Sequence, residues 1–244
     1  MKRFILLLSF VFLFSSSWAI QPRNHYVSLR TDLGVCVIKL YNETPLHRDN
    51  FLKLVKDKFY NGLLFHRVIE NFMIQGGDPT SIHAKKGELL GNSSVDYTIP
   101  AEFRDSLFHK KGALAAARNN NPEKASSGCQ FYLVQGTIFT DAGLDSLEEF
   151  RIGRKIPEYQ REVYETIGGV PYLDQNYTVF GEIVEGMDVL DKIASLPTDP
   201  NDRPILDQAM EITELTRRQS RQLERQLRGE DPPMSWLLNL FKKR

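Results

Sequence analysis

Between positions 65 and 78 the chain reads FHRVIENFMIQGGD, and two polar side chains in it could do chemistry, Arg67 and Gln75. Each lies in a short apolar run, FHRVI and NFMIQ, of strand length and rich in Phe, Ile and Val, with Glu70-Asn71 between them. Gly76-Gly77-Asp78 then predicts a turn, because glycine takes φ > 0 at no steric cost. Folded as a hairpin, the segment sets a guanidinium and an amide beside Phe72 and Met73 in a partly apolar hollow. A guanidinium there stays charged at any working pH and donates from a rigid fork. It suits an electrostatic stabiliser rather than a nucleophile.

A second stretch offers the same combination. GCQFYLV, residues 128–134, predicts a strand with Gln130 and Tyr132 on one parity and Cys129, Phe131 and Leu133 on the other. Upstream, GALAAA brings small side chains up to Ala117 and Arg118, so that another chain can approach the backbone closely. Two strands that each show a Gln beside a large side chain, together with Arg67, predict a groove for a peptide.

The surrounding elements must position these groups. Residues 27–41 hold two strand candidates around Thr31-Asp32-Leu33-Gly34, with Cys36, Ile38 and Leu40 alternating against Val37 and Lys39. Thr44 as N-cap and Pro45 at the first helical position open a helix read as far as Tyr60, with Phe51, Leu52, Val55 and Phe59 at helical spacing and Asn61-Gly62 as its stop. A second helix is read over residues 184–196.

The 244 residues, 41% hydrophobic and 25% charged, are enough for a real core. Lys+Arg and Asp+Glu both number 31, which argues against nucleic acid or an acidic membrane as the main partner. There is no G-x-S-x-G elbow for a hydrolase. No Cys/His ligand set supports a metal, and nothing in the chain calls for a cofactor. Cys36 and Cys129 sit in apolar strand-like runs and read as buried thiols, not bonded to each other.

Residues 1–19 read as a cleaved signal peptide: Lys2-Arg3, an apolar run from Phe4 to Phe14 too short to span a bilayer, and small Ser17 and Ala19 before the cut. That places the mature protein across the inner membrane. At the other end, residues 217–244 form an extension. Leu223 and Leu227 share a helical face, Asp231-Pro232-Pro233 breaks it, and residues 234–244 put Trp236 and Phe241 ahead of Lys242-Lys243-Arg244. This short tail could touch a membrane surface or a protein, or fold back on its own domain.

FHRVIENFMIQGGD, GALAAAR, SSGCQFYLV and YLDQNYTVFGEIVEGMDVLDKI resemble the cyclophilins in identity and order. The resemblance runs from about Val27 to Leu215 with one interruption, and it delimits an isomerase domain over 20–216. It implies a mainly β fold, a closed eight-stranded antiparallel barrel capped by two helices, with a helical insertion and a C-terminal extension. It implies a monomeric peptidyl-prolyl cis-trans isomerase acting on proline-containing polypeptides; the rival reading is a chaperone or peptide-binding scaffold on the same fold. By motif position the catalytic pair is Arg67 with Gln75 orienting it. The substrate-binding residues are Phe72, Met73, Ala117, Gln130, Tyr132, Tyr172, Leu173 and Tyr177. His66 is the motif histidine and need not do chemistry. Tyr132, Tyr172 and Tyr177 stand where many members carry Phe, Trp and His, which is closer to bacterial members, favours the periplasm and predicts weak cyclosporin binding. A glycan at Asn176 would crowd the pocket, a further point for the periplasm.

The interruption, residues 141–169, has both ends beside the pocket. Pro157 predicts a helix with Tyr159, Val163, Tyr164 and Ile167 on one face, ended by Gly168-Gly169. The insertion is expected to tune access without taking part in bond rotation.

Overall fold

The computed structural model describes residues 23–230; the signal-like segment and the 234–244 tail lie outside them. Ten strands form: β1 (His25–Thr31), β2 (Gly34–Leu40), β3 (Phe65–Ile69), β4 (Met73–Gly76), β5 (Thr98–Ile99), β6 (Ala113–Ala116), β7 (Ser126–Ser127), β8 (Phe131–Val134), β9 (Val179–Glu185) and β10 (Glu211–Glu214). Five α-helices accompany them: α1 (Pro45–Lys56), α2 (Asp141–Leu147), α3 (Glu158–Thr166), α4 (Met187–Ala194) and α5 (Arg217–Leu227).

Eight strands make one antiparallel sheet in the order β10-β1-β2-β9-β6-β8-β4-β3, and β5 and β7 pair separately. The sheet curls as an open half-barrel, not the closed barrel expected. The end strands β3 and β10 do not pair, because an irregular segment arrives where a strand would have to. Backbone bonds from Gly62 N to Met210 O, from Met210 N to Leu63 O and from Phe65 N to Gln208 O stitch the two edges together, each 2.9 Å.

Alternation sorts the side chains. Val27, Leu29, Ile38, Leu40, Ile74, Leu114, Phe131 and Leu133 fill the main core. Phe51 of α1 joins it through edge-to-face contacts with Phe131 and Phe180, at 5.5 and 5.4 Å. The helix α1 packs on β9 and β10, and α4 on β2, β3 and β4. Three smaller clusters stand outside this core: one behind the candidate groove, around Met73, Ala115 and Tyr132, one between the insertion and Phe108, around Leu144, Ile156 and Tyr164, and one around Tyr26, Val37, Leu215 and Leu223.

The helix ends differ from the sequence reading. Pro45 does open α1, but the Thr44 hydroxyl caps nothing. The buried carboxylate of Glu102 accepts from Leu46 N at 3.1 Å and His47 N at 3.0 Å instead, since a full negative charge serves the helix N-terminus better than a hydroxyl. The helix stops at Lys56 rather than Tyr60, because Tyr60 turns into the core and donates to Cys129 O at 3.1 Å. Val184 and Glu185 finish β9, so α4 begins only at Met187, after Gly186.

In the insertion, α3 buries Gln160, Arg161 and Tyr164, while Tyr159 and Ile167 stay about half exposed. The buried face is rotated because Arg161 reaches inward to Glu148, Asp145 and Asp141. The first part of the C-terminal extension folds back: Leu223 of α5 is buried with Tyr26, Val37 and Leu215, and Glu224 accepts from Asn24 at 2.9 Å. Cys36 and Cys129 are both buried and free.

Candidate active site

The turn after β4 needs its glycine: Gly77 has φ +96°, and a Cβ there would stand 2.3 Å from Cys129 O. That close approach lays β4 against β8. The register then pairs Arg67 with Gln75, Gln75 with Tyr132, and Tyr132 with Ala115, so one row crosses β3, β4, β8 and β6. Period-two alternation puts Met73 on the same side as Gln75 and sends Ile74 into the core.

Arg67, Phe72, Met73, Gln75, Ala117, Arg118, Tyr132, Leu173 and Tyr177 line one cavity of about 200 Å³. Its floor is apolar and closed: Met73 is 2% and Tyr132 4% exposed. Tyr177 meets Tyr132 edge-on at 5.9 Å, and burial pushes the Tyr132 phenol well above its ordinary range. Two expected residues stand just outside. Gln130 lines a neighbouring cavity of about 300 Å³ that shares Gln75, Ala117 and Arg118 as its wall. Tyr172 forms the rim, stacked on Phe72 at 6.2 Å and covered by the Arg151 guanidinium, 3.4 Å from its ring centre.

No hydrogen bond joins Gln75 to Arg67 among the described residues. The Gln75 amide donates to Gln130 Oε1 at 2.9 Å, and Gln130 donates in turn to Gly91 O at 2.9 Å and Ser93 O at 2.7 Å. The amides therefore fix the loop that borders the second cavity. Arg67 is steadied through Nε by Asp202, at 3.5 Å. His66 lies buried behind the row with neither ring nitrogen hydrogen-bonded, and desolvation pushes its pKa down to about 4.

Sequence reasoning missed Arg118 and Asp202 as site residues, and took Arg151 only as one of the insertion's charges that could select flanking side chains. Arg118 ends the small-residue run and lies over the Tyr177 ring at 4.8 Å while its Nε donates to Asn176 O. Its place after Ala117 was the available signal. Asp202 and Arg151 come from an irregular loop and from the insertion, where no spacing rule applies. Chemically, the cavity has an apolar floor for a small ring and two charged forks, Arg67 and Arg118, in its lining. It has no nucleophile poised against a base.

A profile of the family described as cyclophilin type peptidyl-prolyl cis-trans isomerase/CLD matches residues 26–216. A Staphylococcus saprophyticus protein provisionally named a peptidyl-prolyl cis-trans isomerase is 35% identical over 188 residues, covering 77% of this chain and 89% of its own length. A Staphylococcus aureus protein with the same provisional name is 36% identical over 193 residues, covering 79% and 92%. The crystal structure of a Cryptosporidium parvum cyclophilin type peptidyl-prolyl cis-trans isomerase superposes with a TM-score of 0.58 at 21% identity, covering 80% of this chain and 99% of that one. A second structure of that protein, in the presence of the dipeptide Ala-Pro, gives 0.56 at 22%. At these identities the two structures speak for the fold.

Proposed function

The chain belongs to the cyclophilin-type peptidyl-prolyl cis-trans isomerase family, and from that premise we propose that Arg67 catalyses X-Pro rotation in proteins folding outside the cytoplasm. The observation that carries the reading is the single cavity in which Arg67 meets Phe72, Met73, Tyr132 and Leu173.

Rotation about an X-Pro bond is slow because it breaks amide resonance, against a barrier of about 18–20 kcal/mol. The twisted amide localises a lone pair on the prolyl nitrogen. A fixed positive donor is worth more to that state than to the planar one, and only such a difference accelerates the reaction. Asp202 engages Arg67 at Nε, which leaves the two terminal nitrogens of the fork for the substrate. Met73, Phe72, Tyr132 and Leu173 grip the proline ring, and the flanking chain turns against it. The cavity sharing Gln75, Ala117 and Arg118 takes the neighbouring residue.

The substrates are proline-containing polypeptides, in keeping with the Ala-Pro used with the Cryptosporidium relative. The secretory character of residues 1–19 supports the compartment, and we take the working form to be a monomer. The test is isomerisation of a proline tetrapeptide by Arg67→Ala. We expect kcat/KM to fall at least about tenfold, roughly 1.4 kcal/mol of transition-state stabilisation, with an unchanged melting temperature. Near-normal turnover in the folded variant refutes the assignment.

A further inference from the structure

The hydroxyl of Tyr132 has a definite destination. It meets His109 Nε2 at 2.9 Å. The other ring nitrogen of His109 lies 2.7 Å from Asp174 Oδ1, which also accepts the His109 backbone N–H at 2.8 Å. Asp174 Oδ2 accepts the hydroxyl of Tyr164 at 2.6 Å. None of the four residues exceeds 4% exposure. Among the described residues, Arg154 Nη2 is the only other charged group at this carboxylate, 3.7 Å from Oδ2.

We propose that His109, Asp174 and Tyr164 are positioning residues that lock the Tyr132 ring on the cavity floor, and that the insertion thereby takes part in shaping the proline site. The inference rests on reading that cavity as the proline site.

The tautomer of His109 sets the direction. A carboxylate only accepts, so the His109 nitrogen facing Asp174 carries the proton. With that proton on Nδ1 alone, Nε2 accepts and the Tyr132 hydroxyl donates to it. The hydroxyl is committed away from the cavity, and the side chain cannot swing about χ1 without leaving a buried hydroxyl unpaired. An unpaired buried donor costs about 1–3 kcal/mol. The His109 ring lies nearly parallel to the Tyr132 ring, 6.0 Å away at 13°, which fixes the plane as well as the tip.

The far end of the relay belongs to α3. Tyr164 is fully buried and packs edge-on against Phe108 at 5.5 Å and Phe139 at 6.4 Å. Gly169 closes the neck of the insertion: it bridges to both Lys110 and Thr137, and a Cβ on it would lie 2.2 Å from His109 O. The backbone of His109 is thus clamped by the chain that leaves α3. The sequence reading set the insertion apart from bond rotation; on the present proposal a short loop in its place leaves Asp174 without Tyr164 and slows the tetrapeptide reaction.

A double-mutant cycle on the full mature chain tests the relay, using tetrapeptide kcat/KM and melting temperature for Tyr164→Phe, Tyr132→Phe and the pair. Tyr164→Phe should lower kcat/KM about fivefold in the natural background and less than about twofold once the Tyr132 hydroxyl is gone, while the melting temperature falls in both. Equal losses of kcat/KM in both backgrounds, or a lower melting temperature with unchanged turnover, overturn the proposal. Should Tyr164→Phe fail to fold, the ¹⁵N resonances of His109 in the unaltered protein decide: a proton on Nδ1 alone is expected, and a proton on Nε2 overturns it. Failure of this cycle alongside a strong Arg67→Ala effect refutes the relay and leaves the proline site standing.

Discussion

Arg67 and Gln75 face each other across the β3–β4 hairpin, yet their side chains part, one to Asp202 and the other to Gln130. The guanidinium is held from the irregular loop before β10 and not from its own hairpin. The amide pair serves the neighbouring cavity.

Asp202→Asn follows from that division. Both partners of the ion pair are 43% exposed, so the pair is solvent-screened and contributes little to stability, on the order of 0.5 kcal/mol. Its removal should leave the melting temperature nearly unchanged and lower kcat/KM by less than about fivefold, with the gap closing at high salt. A loss as large as that of Arg67→Ala at every ionic strength would show that Asp202 does more than steady the fork.

His66 predicts acid sensitivity. Its folded pKa is pushed down to about 4, below the ordinary value of 6.5, because burial disfavours the cation. The unfolded chain therefore binds the extra proton first as pH falls. This contribution to stability is complete above about pH 6.5 and declines toward pH 4. His66→Phe should flatten the stability profile across that window in urea titrations. An unaltered slope would mean that other groups set the acid response.

Cyclosporin should bind weakly. Tyr172 offers a phenol at the rim where many family members offer an indole N–H, and its ring is already sandwiched between Phe72 and Arg151. Titration against tetrapeptide turnover measures this; nanomolar inhibition would contradict it.

Two thiols should be counted in denatured, unreduced protein. In the folded state burial pushes the Cys36 thiol up to about 12, so alkylation near pH 8 should wait for unfolding. A count of zero at monomeric mass would reveal a bridge.

The legible parts of the sequence were those governed by period and by local motif. Alternation in MIQG and FYLV assigned Met73, Gln75 and Tyr132 to one side and Ile74, Phe131 and Leu133 to the other, and the register agrees. The Arg67 hairpin was readable for the same reason. Contacts made at long separation were not readable. Glu102 usurps the cap of α1 from 55 residues away in sequence, Asp202 reaches Arg67 across 135, and His109 finds Asp174 across 65. Nothing in the spacing of these residues announces the meeting. The insertion misled through its amphipathic face, because Arg161 and its carboxylate partners outweighed Tyr159 and Ile167 in deciding which side turns inward. The strand edges misled because backbone bonds outside regular strand pairing do most of the stitching.

That stitching has a kinetic consequence. The edge between β3 and β10 is held by a few backbone bonds, and two of its ties come from Asp202: its carbonyl accepts from Val68 N at 2.8 Å, and its carboxylate holds Arg67. A peptide that draws the guanidinium away from Asp202 loosens the wall while it binds. Amide hydrogens at Gly62, Phe65, Val68 and Met210 should therefore exchange with solvent faster in the occupied enzyme than in the empty one, so the wall flexes in step with turnover.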